Sequence, residues 1–199
     1  MSQCGGGISM SSLRLGVAAS AFLTTNTASA TAMMTWMLFD ALRGRKLSAM
    51  GACIGAVVGL VAITPAAGFV DVGPSMAIGF IAAIVSNWAV HMRTQSSLDD
   101  TLDVFPCHGV GGIVGMLLTA VFAQQGGLIT GEGHLFAMHA IALVGVSVFA
   151  FVGSFLLFKI VDAVIPLRVE EAQEDAGLDL SQHGERLCAP ADSGARVAA

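Results

Sequence analysis

Charge is what this sequence has least of. Of its 199 residues 12% are charged and 55% are hydrophobic, against about 25% charged in ordinary soluble domains. So little charge excludes a chain that folds in water, and a formal net charge of −5 gives no basis for a nucleic-acid partner. Paired cysteines are also lacking. Cys4, Cys53, Cys107 and Cys188 show no shared spacing, so neither a disulfide framework nor a CxxC site is expected. His134 and His139 lie near a helix start without a Cys or acid cluster, so no metal site and no cofactor is expected.

What charge there is has been segregated. Seven of the fourteen acids lie after Leu167, in a polar tail. Between the remaining charges run five stretches free of Lys, Arg, Asp and Glu: Leu15–Phe39, Leu47–Val70, Val72–Val90, Val104–Gly131 and His134–Phe158. Each is close to or above the ~20 residues that cross ~30 Å of hydrocarbon as a helix. None alternates as a lipid-facing barrel strand must, so helices are expected throughout. The fold class is all-α, a polytopic transmembrane bundle of about five helices. Its organisation reads as a leader over 1–12 and a bundle over 13–166, followed by a tail over 167–199. The spans fall at about 13–39, 47–66, 73–92, 99–124 and 134–160.

Five crossings put the two termini on opposite sides. With the tail in the cytoplasm, Arg43, Arg45, Lys46, Arg93, Lys159, Arg168, Arg186 and Arg196 all fall inside and Arg14 alone outside. That distribution obeys the positive-inside rule and predicts a cell-membrane protein with its N-terminus outside and its C-terminus cytoplasmic. Trp36 and Trp88 then fall near cytoplasmic helix ends, where an interfacial aromatic belt would place them. Arg14 followed by Ala28-Ser29-Ala30 loosely resembles a secretory signal. The apolar run continues past it through Met33, Met34, Trp36 and Phe39 to a basic stop, which favours a spanning helix.

Gly51, Gly55 and Gly59 form two overlapping GxxxG steps, and Gly111 and Gly115 a third beside Gly109 and Gly112. Small residues at this spacing let membrane helices approach closely, so these faces are expected to meet protein. Thr24, Thr25, Asn26, Thr27, Ser29 and Thr31 give the first span a polar stripe, read as hydrogen bonding within and between helices.

His108 is the outstanding polar residue. With the fourth helix beginning near Leu98, it lies ~15 Å into a ~30 Å slab. An ionisable residue at such depth marks a conduction path or relay more often than a packing contact. Asp99 and Asp100 read as caps on the helix start. Asp103 reads as a structural acid near the histidine, and Pro106 as a kink beside it. Thr64-Pro65 closes the second span. Catalysis inside the membrane is disfavoured, because Cys107 and His108, adjacent on a helix, point about 100° apart.

These residues carry a resemblance. The run Asp99–Gly115 (DDTLDVFPCHGVGGIVG) resembles the signature helix of the ammonium transporter family. Leu60–Gly68 (LVAITPAAG), Thr25–Trp36 (TNTASATAMMTW) and Gly177–Glu185 (GLDLSQHGE) are similar to three further motifs of that family. The resemblance implies an eleven-helix protomer of two inverted halves plus a final helix, trimeric, with a histidine-lined pore in each subunit for ammonium or ammonia. Here it implies the last five helices and the tail, half of that channel fold, with no counterpart of the first six helices. His108 matches one of two facing pore histidines and Val104 a pore-lining position. Asp103 and Thr64 match structural supports of the pore. Gly177, Asp179, His183 and Gly184 match a regulatory tail segment that contacts a neighbouring subunit and a small nitrogen-signalling protein. The implied partners are the lipid bilayer and either two further copies or a separate N-terminal half. The competing reading is a non-conducting chain acting through its tail.

Overall fold

The computed structural model describes residues 10–185. Of the expected leader, residues 1–9 lie outside the described residues, as do tail residues 186–199. The described chain is helical. Helix α1 is Met10–Leu42, α2 is Ala49–Ile63, α3 is Val72–Thr94, α4 is Phe105–Phe122 and α5 is His134–Val164. A short helix α6, Glu171–Ala176, and a π-helical turn, Asp179–His183, follow in the tail. No strand occurs among the described residues.

By length and composition, α3, α4 and α5 can each cross a membrane. Helix α1 has 33 residues, or ~50 Å of length, and its lower apolarity comes from the hydroxyl and amide stripe. Helix α2 has 15 residues, shorter than the expected 47–66 span, because Pro65 has no N–H to continue it. The chain goes on through hydrogen-bonded turns from Thr64 to Phe69.

The described residues up to Val146 form one compact unit and those from Ser147 a second. In the first unit the glycines set the packing. A Cβ on Gly55 would stand 2.6 Å from Trp36 Cβ, and one on Gly59 2.7 Å from both Ala28 O and Ala32 Cβ. The expected GxxxG face is thus the α1–α2 contact. Gly79 of α3 meets Ala28 backbone and Gly115 of α4 meets Ala62 backbone in the same manner, whereas Gly112 faces open space. These pairings run α1 antiparallel to α2 and parallel to α3, with α4 parallel to α2. The core between them includes Trp36, Val58, Ile63, Val70 and Ile78.

Trp36 is a correction. It is 4% exposed and packed against α2, not at a lipid interface. Trp88, 53% exposed, is free to take an interfacial position. The polar stripe behaves as expected. Thr24, Thr27, Thr31 and Thr35 donate to carbonyls three or four residues back on α1. Two bonds cross between helices, Thr27 Oγ1 with Ser75 Oγ at 2.8 Å and Ser29 Oγ to Ala56 O at 3.1 Å.

In the second unit Arg168 lies bidentate on Glu174, with both N···O distances 3.2 Å. Ser181 Oγ donates to Gln173 O, holding the π-helical turn against α6. Within α5 no residue is buried.

The glycine contacts predict a contrast. Gly59→Ala should lower the unfolding midpoint in detergent by an amount equivalent to about 1–3 kcal/mol, as overpacking does. Gly112→Ala should be neutral or stabilising by up to ~1 kcal/mol, since helix propensity alone acts there. Equal destabilisation of the two variants would contradict the packing described.

Candidate functional site

The site is built where α3 ends and α4 begins. Helix α4 starts six residues later than the expected boundary at 99, because the chain turns at Asp103, whose φ is +53°. Aspartate is among the few non-glycine residues that enter this left-handed region readily. Arg93 of α3 holds it there: Nε donates to Asp103 Oδ1 at 2.8 Å, and Nη2 bonds the same oxygen. Both side chains are largely shielded. Asp103 therefore bonds Arg93 of α3 and not the histidine near which it was expected to act.

Asp100 supplies the cap. Its carboxylate accepts from Val104 N at 2.8 Å and Phe105 N at 2.9 Å, satisfying two orphan donors of the new helix. These two bonds, and after them the nearby Arg93, hold the Asp100 carboxyl below its ordinary value of 3.8. Asp99 only accepts from the Thr101 hydroxyl.

The expected Pro106 kink is absent. Pro106 lies in the first turn of α4, where a missing N–H leaves no bond unmade. That turn, Phe105–Val110, is π-helical, a widened geometry frequent at functional positions. His108 sits within it, so it lies about one turn into α4, not ten residues in. Its side chain is exposed, and among the described residues its ring takes no hydrogen-bond partner. Val104, 51% exposed, stands four residues earlier and shares a face with it. Cys107 beside it is buried and turned away.

The other expected site residues lie apart. Gly111 faces Val58 and Val61, and Gly115 faces Ala62, which sets Thr64 roughly two turns beyond the level of His108. The Thr64 hydroxyl donates to Leu60 O at 2.7 Å and closes the end of α2. Gly177, Asp179, His183 and Gly184 belong to the tail unit. Gly177 and Gly184 both have positive φ, and Glu185 N returns to Asp179 O at 3.0 Å. Among the described residues no group of three or more His, Cys, Asp or Glu could hold a metal ion.

Sequence reading missed one feature at this end of the bundle. Asn87, buried inside α3, donates to Asp40 Oδ1 at 3.1 Å and accepts from Arg43 Nη1 at 2.8 Å. Arg43 also covers the Phe39 ring at 4.4 Å. Arg45 bonds His91 Nδ1 at 3.2 Å. The one signal available was an amide in the middle of an apolar helix.

The fold defines a polytopic all-α membrane protein. The comparisons give the family. The model of the Ammonium Transporter Family matches residues 6–187, and the chain belongs to that family. It is 41% identical over 179 residues to the ammonium transporter of Bacillus subtilis (strain 168), covering 86% of this chain and 44% of that one. It is 42% identical over 178 residues to a putative ammonium transporter of Methanothermobacter thermautotrophicus, covering 85% and 44%. Among solved structures, the N240A mutant of Candida albicans Mep2 superposes with a TM-score of 0.74 at 35% identity, over 83% of this chain and 40% of that one. The chain thus spans less than half the length of the curated relatives it matches. The relatives are transporters, not enzymes, which removes the intramembrane-catalysis reading.

The Asp100 cap carries a pH prediction. A carboxyl held below its ordinary value stabilises the fold above 3.8, and that contribution disappears as pH falls through the lowered folded-state value. The unfolding midpoint measured from pH 5 to pH 2 should fall less steeply in Asp100→Asn than in the parent chain. Identical slopes would show that the cap does not act.

Proposed function

We propose that this chain forms part of a transmembrane passage for ammonium or ammonia, with His108 and Val104 on the passage wall. The observation that carries the reading is the bare imidazole on the π-helical turn, on one face with Val104 and next to a helix start fixed from two sides by Asp100 and Asp103. A neutral imidazole offers one donor and one acceptor, so it can pass a small polar species along without a fixed charge. A protonated ring in a narrow apolar passage would repel a cation, so the proposed role calls for the neutral imidazole.

The face bearing His108 is open in this chain, and a pore needs walls on all sides. Polar groups left facing lipid cost several kcal/mol each. The chain alone is therefore not competent, and the passage is completed by an N-terminal half or by assembly as in a trimer of eleven-helix protomers. The bilayer orientation consistent with the bases puts the N-terminus outside and the Asp100–Asp103 end and tail in the cytoplasm. The tail, with Gly177, Asp179, His183 and Gly184, offers a docking surface for a small nitrogen-signalling protein. Its self-contained hydrogen bonds favour a second reading, in which the chain acts as an interaction module through this tail.

Growth of a transporter-deficient cell on limiting ammonium tests the first reading. This chain alone should not restore growth. A complete protomer carrying this segment should, and His108→Ala within it should abolish normal selectivity. Rescue by the chain alone would overturn the requirement for a second half, and unchanged uptake and ion discrimination in His108→Ala would overturn the assigned role.

A further inference from the structure

Helix α4 is anchored on both sides of its π-helical turn. Beyond the turn, Gly111 lies against Ser86, Val58 and Val61, and a Cβ on Gly115 would stand 2.2 Å from Ala62 O, so this part cannot rotate. Before the turn, Arg93 of α3 grips Asp103 through Nε at 2.8 Å and through Nη2. Between the two anchors Phe105–Val110 runs as π-helix. A π-helical turn takes in one residue more than the α-helical bonding pattern and is rare for that reason, so its surroundings must impose it.

The hydrogen bonds inside the segment do not fix which way it faces. Asp100 accepts from Val104 N and Phe105 N, Asp103 N donates to Asp100 O, and Cys107 N donates to Asp103 O. All of these would turn together with the segment. Among the described residues it is Arg93 whose hydrogen bonds tie this segment to another helix, and they hold Asp103 at φ +53°. Two observations mark the widened turn as imposed from outside. Ser86 Oγ is buried against Gly111 without a hydrogen-bond partner, a mismatch at the end of the turn. An apolar groove of about 380 Å³, lined by Val85, Trp88 and Met92 of α3 and by Phe105, Pro106 and Val110 of α4, leaves the turn room to move on that flank.

We propose that Arg93 is a positioning residue for His108. Acting through Asp103, it holds the start of α4 in the π-helical register that presents the imidazole and Val104 on the open face. Without it the turn relaxes to α-helix. An α-helix advances ~100° per residue, so taking one residue out of the widened turn rotates the segment ahead of Gly111 by up to that angle. Cys107 then swings from the core toward the groove beside Pro106, and His108 from the open face toward Val58 and Val61. What this orientation means for conduction rests on the passage reading; the orientation itself does not.

The test reads orientation, not uptake, on the full chain purified in detergent micelles. Alkylation of Cys107 by N-ethylmaleimide and acylation of His108 by diethyl pyrocarbonate are followed residue by residue by mass spectrometry at one fixed pH. In the parent chain Cys107 should react slowly and His108 readily. In Arg93→Gln, Cys107 should react roughly tenfold or more faster and His108 slower by a similar factor, as loss of a charge-assisted bond shifts a local equilibrium. Asp103→Gly keeps the left-handed turn and removes the pair, so it should give the same two changes. Arg93→Lys, which can still donate to Asp103, should stay near the parent. General loosening of the bundle would raise both reactivities together. That result, or unchanged reactivity at both residues in Arg93→Gln and Asp103→Gly, overturns the proposal. Opposite shifts here, combined with normal ion discrimination by His108→Ala in a complete protomer, would uphold the positioning and sink the passage reading, so the two failures are told apart.

Discussion

Backbone meets backbone in this bundle, and the glycines make that possible. Lipid tails are as apolar as leucine, so membrane helices gain nothing by hiding apolar side chains from lipid, and close van der Waals contact must hold them together. Gly55 and Gly59 let α2 lie on α1 at Trp36 and Ala28, Gly79 brings α3 to the same stretch of α1, and Gly115 brings α4 onto Ala62. Each helix is thereby fixed in rotation as well as in distance. The face of α4 that carries Val104 and His108 is directed by this packing, since Gly111 and Gly115 must turn toward α2 and α3.

Polar groups are then sorted by depth and partner. Along α1 the threonine hydroxyls return to their own helix carbonyls, which removes their cost in an apolar medium and leaves Thr27 and Ser29 to bond across to α3 and α2. Charges collect at one end of the first unit, where Arg43, Asn87 and Asp40 form one network and Arg93 with Asp103 another. Capping by Asp100 and pairing by Asp103 together define where α4 begins. At the other end Gln124 Nε2 donates to Asp71 Oδ1 and His139 Nδ1 bonds Met116 O, each joining two elements of the unit.

Much of this was legible beforehand. Charge-free runs located the helices, because a backbone in lipid must satisfy its own hydrogen bonds. The GxxxG spacing marked the α2 face that does meet α1, and the acid cluster ahead of Phe105 marked a cap, assigned to Asp100 by its two N–H bonds. Misreadings came where a long-range partner overrode a local preference. Trp36 was expected at an interface and is instead packed under Gly55, since a missing Cβ nineteen residues away makes room for it. Pro106 was expected inside a helix that in fact starts beside it.

By itself the sequence determined that the chain lives in lipid, where its helices run, which helix faces are smooth enough to touch, and which family it resembles. These follow from local composition and short spacings. Only the tertiary structure decided that Arg93 reaches Asp103, that His108 stands one turn from a helix start with its ring unpartnered among the described residues, and that His139 and Gln124 face one cavity. Such pairings depend on distances between residues far apart in the chain, and those distances exist only once the helices have packed.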